Sequence, residues 1–460
     1  MTLHIHSDAN WGDLDVSPLY SHSLDETVIP RSRLADFSLA PSMAAAIVRD
    51  ELLLDGNERL NVASFCSTYL EPELALLAAE NLTKNIANHD QYPASVEIER
   101  RCLAIIGDLW HSDGTTVGAA TTGSSEAVML AVLAFRQRWR ESRSTGEPSE
   151  FGTPNIVFSS ACHPCWDKAC LYFDVEPRKL PIRHDRTTLD PTEVAAACDE
   201  NTIGAVTTLG YPATGLYDPV MQICEALDAL AARGGPDIGV HVDAASGGFY
   251  APFQPDAAPW DFQLPRVVSI DASGHKFGLS NLGLGWALWR EQRYLPQSLT
   301  FQINLLGGEP APTFSLTYSR PAAPVIDQYA TFLRLGRPGF AGLVRQASTV
   351  AAYLAEAIAE RGFRIWGDGS DLPVVTFGTH GPDSPWMRHF SAKLRERGWQ
   401  VPTYTLAPDA DDTVVARVVC RYGLTLDLAE RLVGAVDDAI GELDAHEGPL
   451  PDVHRDGFAH

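Results

Sequence analysis

From Asn61 onward the chain alternates two hydrophobic patterns. Apolar residues three and four apart recur over 70–86 (LEPELALLAAENLTKNI) and 95–110 (SVEIERRCLAIIGDLW). That spacing lines one face of a helix, and Ser95 stands as the N-cap of the second. A further helix opens at Gly123-Ser124-Ser125-Glu126, just after a small, flexible stretch from Gly118 to Thr122. Between the helical segments lie short, continuous apolar runs: NIVFS (155–159), TIGAVTTLG (202–210), DIGVHVDAA (237–245) and RVVSIDA (266–272). Apolar strands that alternate with helices predict an α/β fold with a mainly parallel sheet covered on both faces.

After Arg320-Pro321 the pattern changes. A helical stretch over about 323–361 leads into strand (DLPVVTFG), helix (PWMRHFSAKLRERG), strand (TVVARVVCRYG) and helix (LDLAERLVGAVDDAIGEL). This reads as a small C-terminal α+β domain. The expected organisation is an N-terminal arm (1–57) with one helix in PSMAAAIVRDELLL, a large domain (58–340), the small domain (341–448) and a polar tail (449–460).

Composition narrows the function classes. Net charge is −24 over 460 residues, which argues against nucleic acid and anionic membrane surfaces as partners. No apolar run reaches the ~18 residues of a membrane span, and the N-terminus lacks the pattern of a secretory signal. The eight cysteines read as a reduced, cytoplasmic complement. Cys162-His163-Pro164-Cys165 has redox-motif spacing; zinc is a weaker reading, because no second ligand pair stands nearby.

Candidate chemistry gathers late in the parallel pattern. Lys276, one of five lysines, follows an apolar strand and a turn-like SGH. It reads either as a surface lysine or as an amine in a pocket, where a lowered pKa makes it a nucleophile toward an aldehyde. Gly123-Ser124-Ser125 at a helix start suits an anion, or is a simple N-cap. Asp243 ends an apolar strand, where open α/β sheets bind ligands, or it caps the next helix. Together, an anion cradle, a strand-end carboxylate and a strand-end lysine suit pyridoxal 5'-phosphate: phosphate, ring nitrogen and aldehyde each find a partner. His163 adds a flat side chain that could stack on the ring, or is a surface loop histidine.

These residues sit in segments that carry a family resemblance: DELLLDGNERLNVASFC, YPASVEIERRCLAIIGDLWH, GSSEAVML, HVDAASGGFYAPF, DASGHKFG, LGGEPAPTFSLTYSRPA and RVVCRYG. The chain resembles the pyridoxal-phosphate-dependent group II decarboxylases, and within them the bacterial and plant-type glutamate decarboxylases, over nearly its whole length. The resemblance implies an aspartate-aminotransferase-like (type I) fold and a homodimer with shared active sites; bacterial members often assemble into hexamers. It implies that Lys276 carries the cofactor, that Asp243 pairs with its ring nitrogen and that His163 lies over the ring with Ala245 beneath. Gly123, Ser124, Ser125, Ser273 and His275 hold the phosphate, with Ser319 reaching in from the neighbouring subunit. Arg417, otherwise an ordinary edge-strand arginine, grips the substrate α-carboxylate. Ser64, Phe65 and Asn88 hold the distal carboxylate.

Five positions depart from the glutamate-decarboxylase pattern. His163 replaces Gln, Ser64 replaces Thr and Asn88 replaces Asp. Pro212 stands in place of a hydrogen-bonding Thr. Leu305 stands where a Tyr reaches over the neighbour's site. The near-terminal histidine that closes the site of bacterial members is here the last residue, His460, which implies weakened autoinhibition. The leading expectation is decarboxylation of L-glutamate to 4-aminobutyrate. The departures leave open a relative with another amino-acid substrate, or with decarboxylation coupled to oxidative deamination or transamination. An inactive, cofactor-binding regulatory subunit is a third reading, disfavoured because Lys276, Asp243 and Arg417 are all present.

Overall fold

A computed structural model describes residues 32–36, 38–143, 152–303, 311–381, 385–408, 410–448 and 450. Two compact units emerge, Met1–Gly56 and Asn57–His460. The described part of the first carries one helix, α1 (Pro41–Leu52), with no buried residue.

The second unit is built on a seven-stranded sheet. Its strands are β1 (Val117–Thr121), β2 (Asn155–Ser159), β3 (Glu176–Leu180), β4 (Thr202–Thr208), β5 (Val240–Asp243), β6 (Val267–Ser273) and β7 (Gly285–Trp289), in the order β1-β7-β6-β5-β4-β2-β3. Strands β2 to β6 pair in parallel, and β7 runs antiparallel to both its neighbours. Helices α2 (Pro72–Glu80), α3 (Pro93–Leu109), α4 (Ser124–Ser142), α5 (Cys165–Tyr172), α6 (Pro191–Ala196) and α7 (Val220–Ala232) accompany it. Ile106, Leu227, Val242 and Ile270 share one core, while Val132, Phe158, Trp166 and Val206 share another. Apolar clusters on both faces are the physical reason that the strands read as continuous apolar runs.

A two-stranded ribbon follows, β8 (Phe301–Ile303) with β9 (Ala311–Thr313), and then α8 (Ala323–Glu360). Gly336 breaks α8, with φ 54° and ψ −176°, and Pro338 restarts it. A second sheet, β10 (Arg364–Asp368), β11 (Val374–Gly378), β12 (Thr403–Thr405) and β13 (Val414–Val419), has the order β10-β11-β13-β12. With α9 (Pro385–Glu396) and α10 (Leu426–Asp444) it encloses a core of its own around Leu354, Phe377, Phe390 and Leu432. Among the described residues no helix is long and apolar enough to cross a membrane.

Several local expectations are corrected. Helix α3 begins at Pro93 after Tyr92, so Ser95 is not its cap but a buried first-turn residue. Proline is favoured there because it has no N–H to leave unpaired and its φ is already helical. Helix α2 spans only Pro72–Glu80 of the expected 70–86. The small stretch Gly118–Thr122 lies mainly in strand β1, not in a flexible linker. Its small residues answer to packing: a Cβ on Gly118 would stand 2.6 Å from the Ala287 carbonyl oxygen on β7. Arg417 lies on β13, an inner strand, so it is not an edge-strand arginine. Leu305 and His460 lie outside the described residues.

The loop after β4 is tied down by a buried acid. Asp218 accepts the N–H groups of Leu189 at 2.8 Å and Thr208 at 2.7 Å, and the Tyr211 hydroxyl at 2.8 Å. Alanine at this position would leave three buried donors unpaired. Asp218→Ala is expected to lower the free energy of unfolding by ~3 kcal/mol or more, read by urea denaturation; a loss under ~1 kcal/mol would show that the loop is held by other contacts.

Candidate active site

The site forms where β5 and β6 end and β7 begins. Lys276 sits in the connection between β6 and β7, after Ser273 has closed the strand. Its Nζ donates to Ser246 Oγ at 3.2 Å and faces the Phe65 ring, 5.4 Å from the centroid. Burial pushes the ammonium below its ordinary pKa, and the Asp243 carboxylate partly offsets that. The surface-lysine reading is therefore set aside.

Asp243 is the last residue of β5. Its Oδ2 accepts the Trp166 indole N–H at 2.8 Å, and its Oδ1 accepts the Ala245 backbone N–H at 3.1 Å. Both carboxylate oxygens are thus held by fixed donors. The alternative of a helix cap fails, because only a three-residue 3-10 turn follows, at Gly247–Phe249, with no side-chain cap.

Around Lys276 the anion-binding candidates converge. Gly123 precedes α4, Ser124 and Ser125 open it, and no side chain caps it. The His275 imidazole lies beside this helix head: a Cβ on Gly123 would stand 3.5 Å from its Cε1. The Leu284 N–H donates to His275 Nδ1 at 3.1 Å, so a neutral ring carries its proton on Nε2. Burial, with the nearby Lys276 charge, pushes His275 down to about 4. Ser273 is buried, and its hydroxyl has no hydrogen-bond partner.

Arg417 reaches the site from β13. Its guanidinium donates to the carbonyls of Pro212 and, at 2.7 Å, Ala63. It lies over Phe65 at 4.8 Å and Tyr404 at 5.5 Å. Its Nε is buried and unpaired. Pro212 lacks a donor, as the sequence implied, yet it contributes an acceptor. Ser64 Oγ accepts the Cys66 N–H at 3.0 Å.

Asn88 is half-buried and donates to Gln91. Ser319 is exposed and accepts from Asn85 at 3.2 Å. His163 is exposed, and its Nδ1 accepts the Cys165 N–H at 3.2 Å. The redox reading of Cys162 and Cys165 is not supported. Cys165 does open α5, but burial raises both thiols far above the thiolate range, and the acids Asp243 and Asp271 push Cys165 further the same way.

Sequence reasoning missed Trp166, Ser246 and Tyr404. Ser246 lies three residues past Asp243, a spacing that could have drawn notice. Nothing in the local pattern marks Trp166 or Tyr404, whose partners are distant in sequence.

Comparison with known proteins decides the family. Residues 36–379 match the pyridoxal-dependent decarboxylase conserved domain. The chain belongs to the pyridoxal-dependent decarboxylases. It is 41% identical to a glutamate decarboxylase of Aliivibrio fischeri, covering 93% of each chain. It is 39% identical to glutamate decarboxylase beta of Listeria innocua, over 97% of this chain and 98% of that one. The solved Lactobacillus brevis glutamate decarboxylase superposes with a TM-score of 0.88 at 38% identity, over 94% of this chain and 99% of that one. The sheets described above are thus those of a type I pyridoxal-phosphate enzyme, and the cofactor is pyridoxal phosphate. The donor set fits it: the unpartnered Ser273 hydroxyl, the His275 Nε2 proton and the uncapped head of α4 suit a phosphate, and the desolvated Lys276 amine suits an aldehyde.

The decarboxylase site depends on one close approach. A Cβ on Gly285 would stand 2.4 Å from the Gly123 carbonyl carbon and 2.6 Å from the Ser124 nitrogen. Both contacts are backbone, so neither can yield by a rotamer change. Gly285→Ala is expected to cost ~1–3 kcal/mol by overpacking, measured by chemical denaturation.

Proposed function

We propose that this enzyme decarboxylates an acidic α-amino acid, with L-glutamate giving 4-aminobutyrate and CO2 as the leading reaction, and that it works as a cytoplasmic homodimer able to assemble into hexamers. The observation that carries the reading is the shared Phe65 ring: Lys276 faces it at 5.4 Å and Arg417 at 4.8 Å. An amine that binds an aldehyde and a fork that binds a carboxylate then serve the two ends of one α-amino acid. Relatives of about 40% identity over nearly the full length are named glutamate decarboxylases, which supports glutamate.

Each residue then has a task. Lys276 would hold the cofactor aldehyde through its amine, whose charged form burial disfavours. Ser246 Oγ holds the amine in place. Ser124, Ser125, Ser273 and His275 supply donors to the phosphate, and Ser319 of a second copy completes them. Bound pyridoxal phosphate supplies a ring that accepts the electron pair left behind when CO2 departs. The Asp243 carboxylate would pair with the ring nitrogen and favour a proton there, and Ala245 and His163 would contact the ring. Arg417 would bind the α-carboxylate through the guanidinium N–H groups that Pro212 and Ala63 leave over. Ser64 and Phe65 line the distal end, with Asn88 supplied across the dimer.

A second reading, altered substrate preference, is favoured by two observations. Pro212 presents to Arg417 a carbonyl and no side-chain donor, and Asn88 brings a neutral amide where the pattern has a carboxylate. One experiment separates the readings. The purified holoenzyme is offered a panel of L-amino acids, and CO2 and amine are quantified with mass spectrometry of the products. The expected result is 4-aminobutyrate and CO2 in equal amounts from glutamate, with Lys276→Ala reduced to background. A different preferred amine selects the second reading. Aldehyde, ammonia or peroxide among the products would support decarboxylation coupled to oxidative deamination or transamination, and stoichiometric amine without them would refute it.

A further inference from the structure

The face of the sheet behind Asp243 holds a polar chain that the reaction as described does not use. A bulge at the start of β6 shifts the register, so that Ser269 and Asp271 lie opposite His241 and Asp243. The two aspartates are thus buried neighbours on adjacent strands. On adjacent strands about 4.8 Å apart, the Asp243 charge opposes ionisation of Asp271 away from water.

The surroundings treat them differently. Asp243 receives two fixed donors, the Trp166 indole and the Ala245 backbone N–H. Asp271 Oδ1 lies 3.0 Å from His241 Nε2, and His241 Nδ1 lies 2.8 Å from Ser269 Oγ. Asp271 Oδ2 has no partner. Burial and the Asp243 charge push Asp271 well above the carboxylate range, and burial pushes His241 down to about 4. These directions favour the neutral pair, in which the Asp271 O–H donates to Nε2 and the Nδ1–H donates to Ser269. The indole of Trp166 packs edge-on against the same imidazole, with centroids 5.3 Å apart and planes at 64°. An indole donates without exchanging a proton with a carboxylate, so it can orient Asp243 and leave its charge in place.

We propose that Trp166 is a positioning residue: its N–H sets the Asp243 carboxylate for the cofactor's ring nitrogen, and the His241–Asp271–Ser269 chain fixes the indole. This rests on the reading that Asp243 pairs with that nitrogen.

The test uses the full-length enzyme with Trp166 replaced by Phe and, separately, by 3-benzothienylalanine, which keeps the indole shape without the N–H. Both should weaken pyridoxal-phosphate affinity about tenfold or more and diminish the visible circular dichroism of the bound cofactor. They should lower kcat and leave KM for the amino acid unchanged. Should the Phe variant fold poorly, the isosteric analogue decides. Asp271→Asn, whose amide N–H can donate to His241 as the carboxyl O–H does, should rescue the loss produced by Asp271→Ala. Wild-type affinity and dichroism in the analogue variant would overturn the proposal, as would an Asn variant no better than Ala. Asp243→Ala is the control. If it too leaves affinity and absorption unchanged, the reading of Asp243 is at fault; if it disrupts them while the analogue does not, only the role of Trp166 falls.

Discussion

A primary amine removed from water loses the hydration that normally keeps it protonated, and this constraint shapes everything around Lys276. The amine needs an acceptor, which Ser246 provides, and a neighbouring negative charge, which Asp243 provides. Asp243 in turn needs donors that pair its oxygens inside the protein. The helix α5 brings one of them, and the turn after β5 brings the other. The apolar cores on both faces keep water out of this arrangement. A single buried nitrogen thus depends on two strand ends, one helix and the packing of both sheet faces.

Much of the fold was legible because its physics is local. Strands buried on both faces must be apolar throughout, and the runs at 155–159, 202–210, 237–245 and 266–272 announced them. Where a strand serves another purpose, the signal fails. Strand β1 is made of small residues because β7 and α3 approach it closely, so it resembled a linker. Strand β3, EPRKL, lies at the sheet edge and is largely exposed, so its polar residues hid it. The antiparallel course of β7 has no local signature at all.

The site was legible to a different extent. Lys276, Asp243, Ser273 and His275 cluster because they end neighbouring strands, and a sequence that alternates strands and helices orders such ends predictably. Arg417 came from the motif around it, and its pairing with the Pro212 and Ala63 carbonyls could not have been read from either segment. Trp166 was invisible for the same reason: it is separated from Asp243 by two strands and two helices in sequence and by 2.8 Å in space. Asn88 and Ser319 came from the resemblance alone, and their contacts here are to Gln91 and Asn85.

The reversed strand β7 has one more consequence, and it concerns the order of folding. Every other pair of neighbouring strands in the large sheet must wait for a crossover or for a distant segment to arrive. Only β6 and β7 follow one another directly as an antiparallel hairpin, and a short connection costs little entropy to close. That connection carries Lys276. The reactive lysine is therefore carried by the connection of lowest sequence separation between neighbouring strands of the large sheet, the one whose closure costs least entropy.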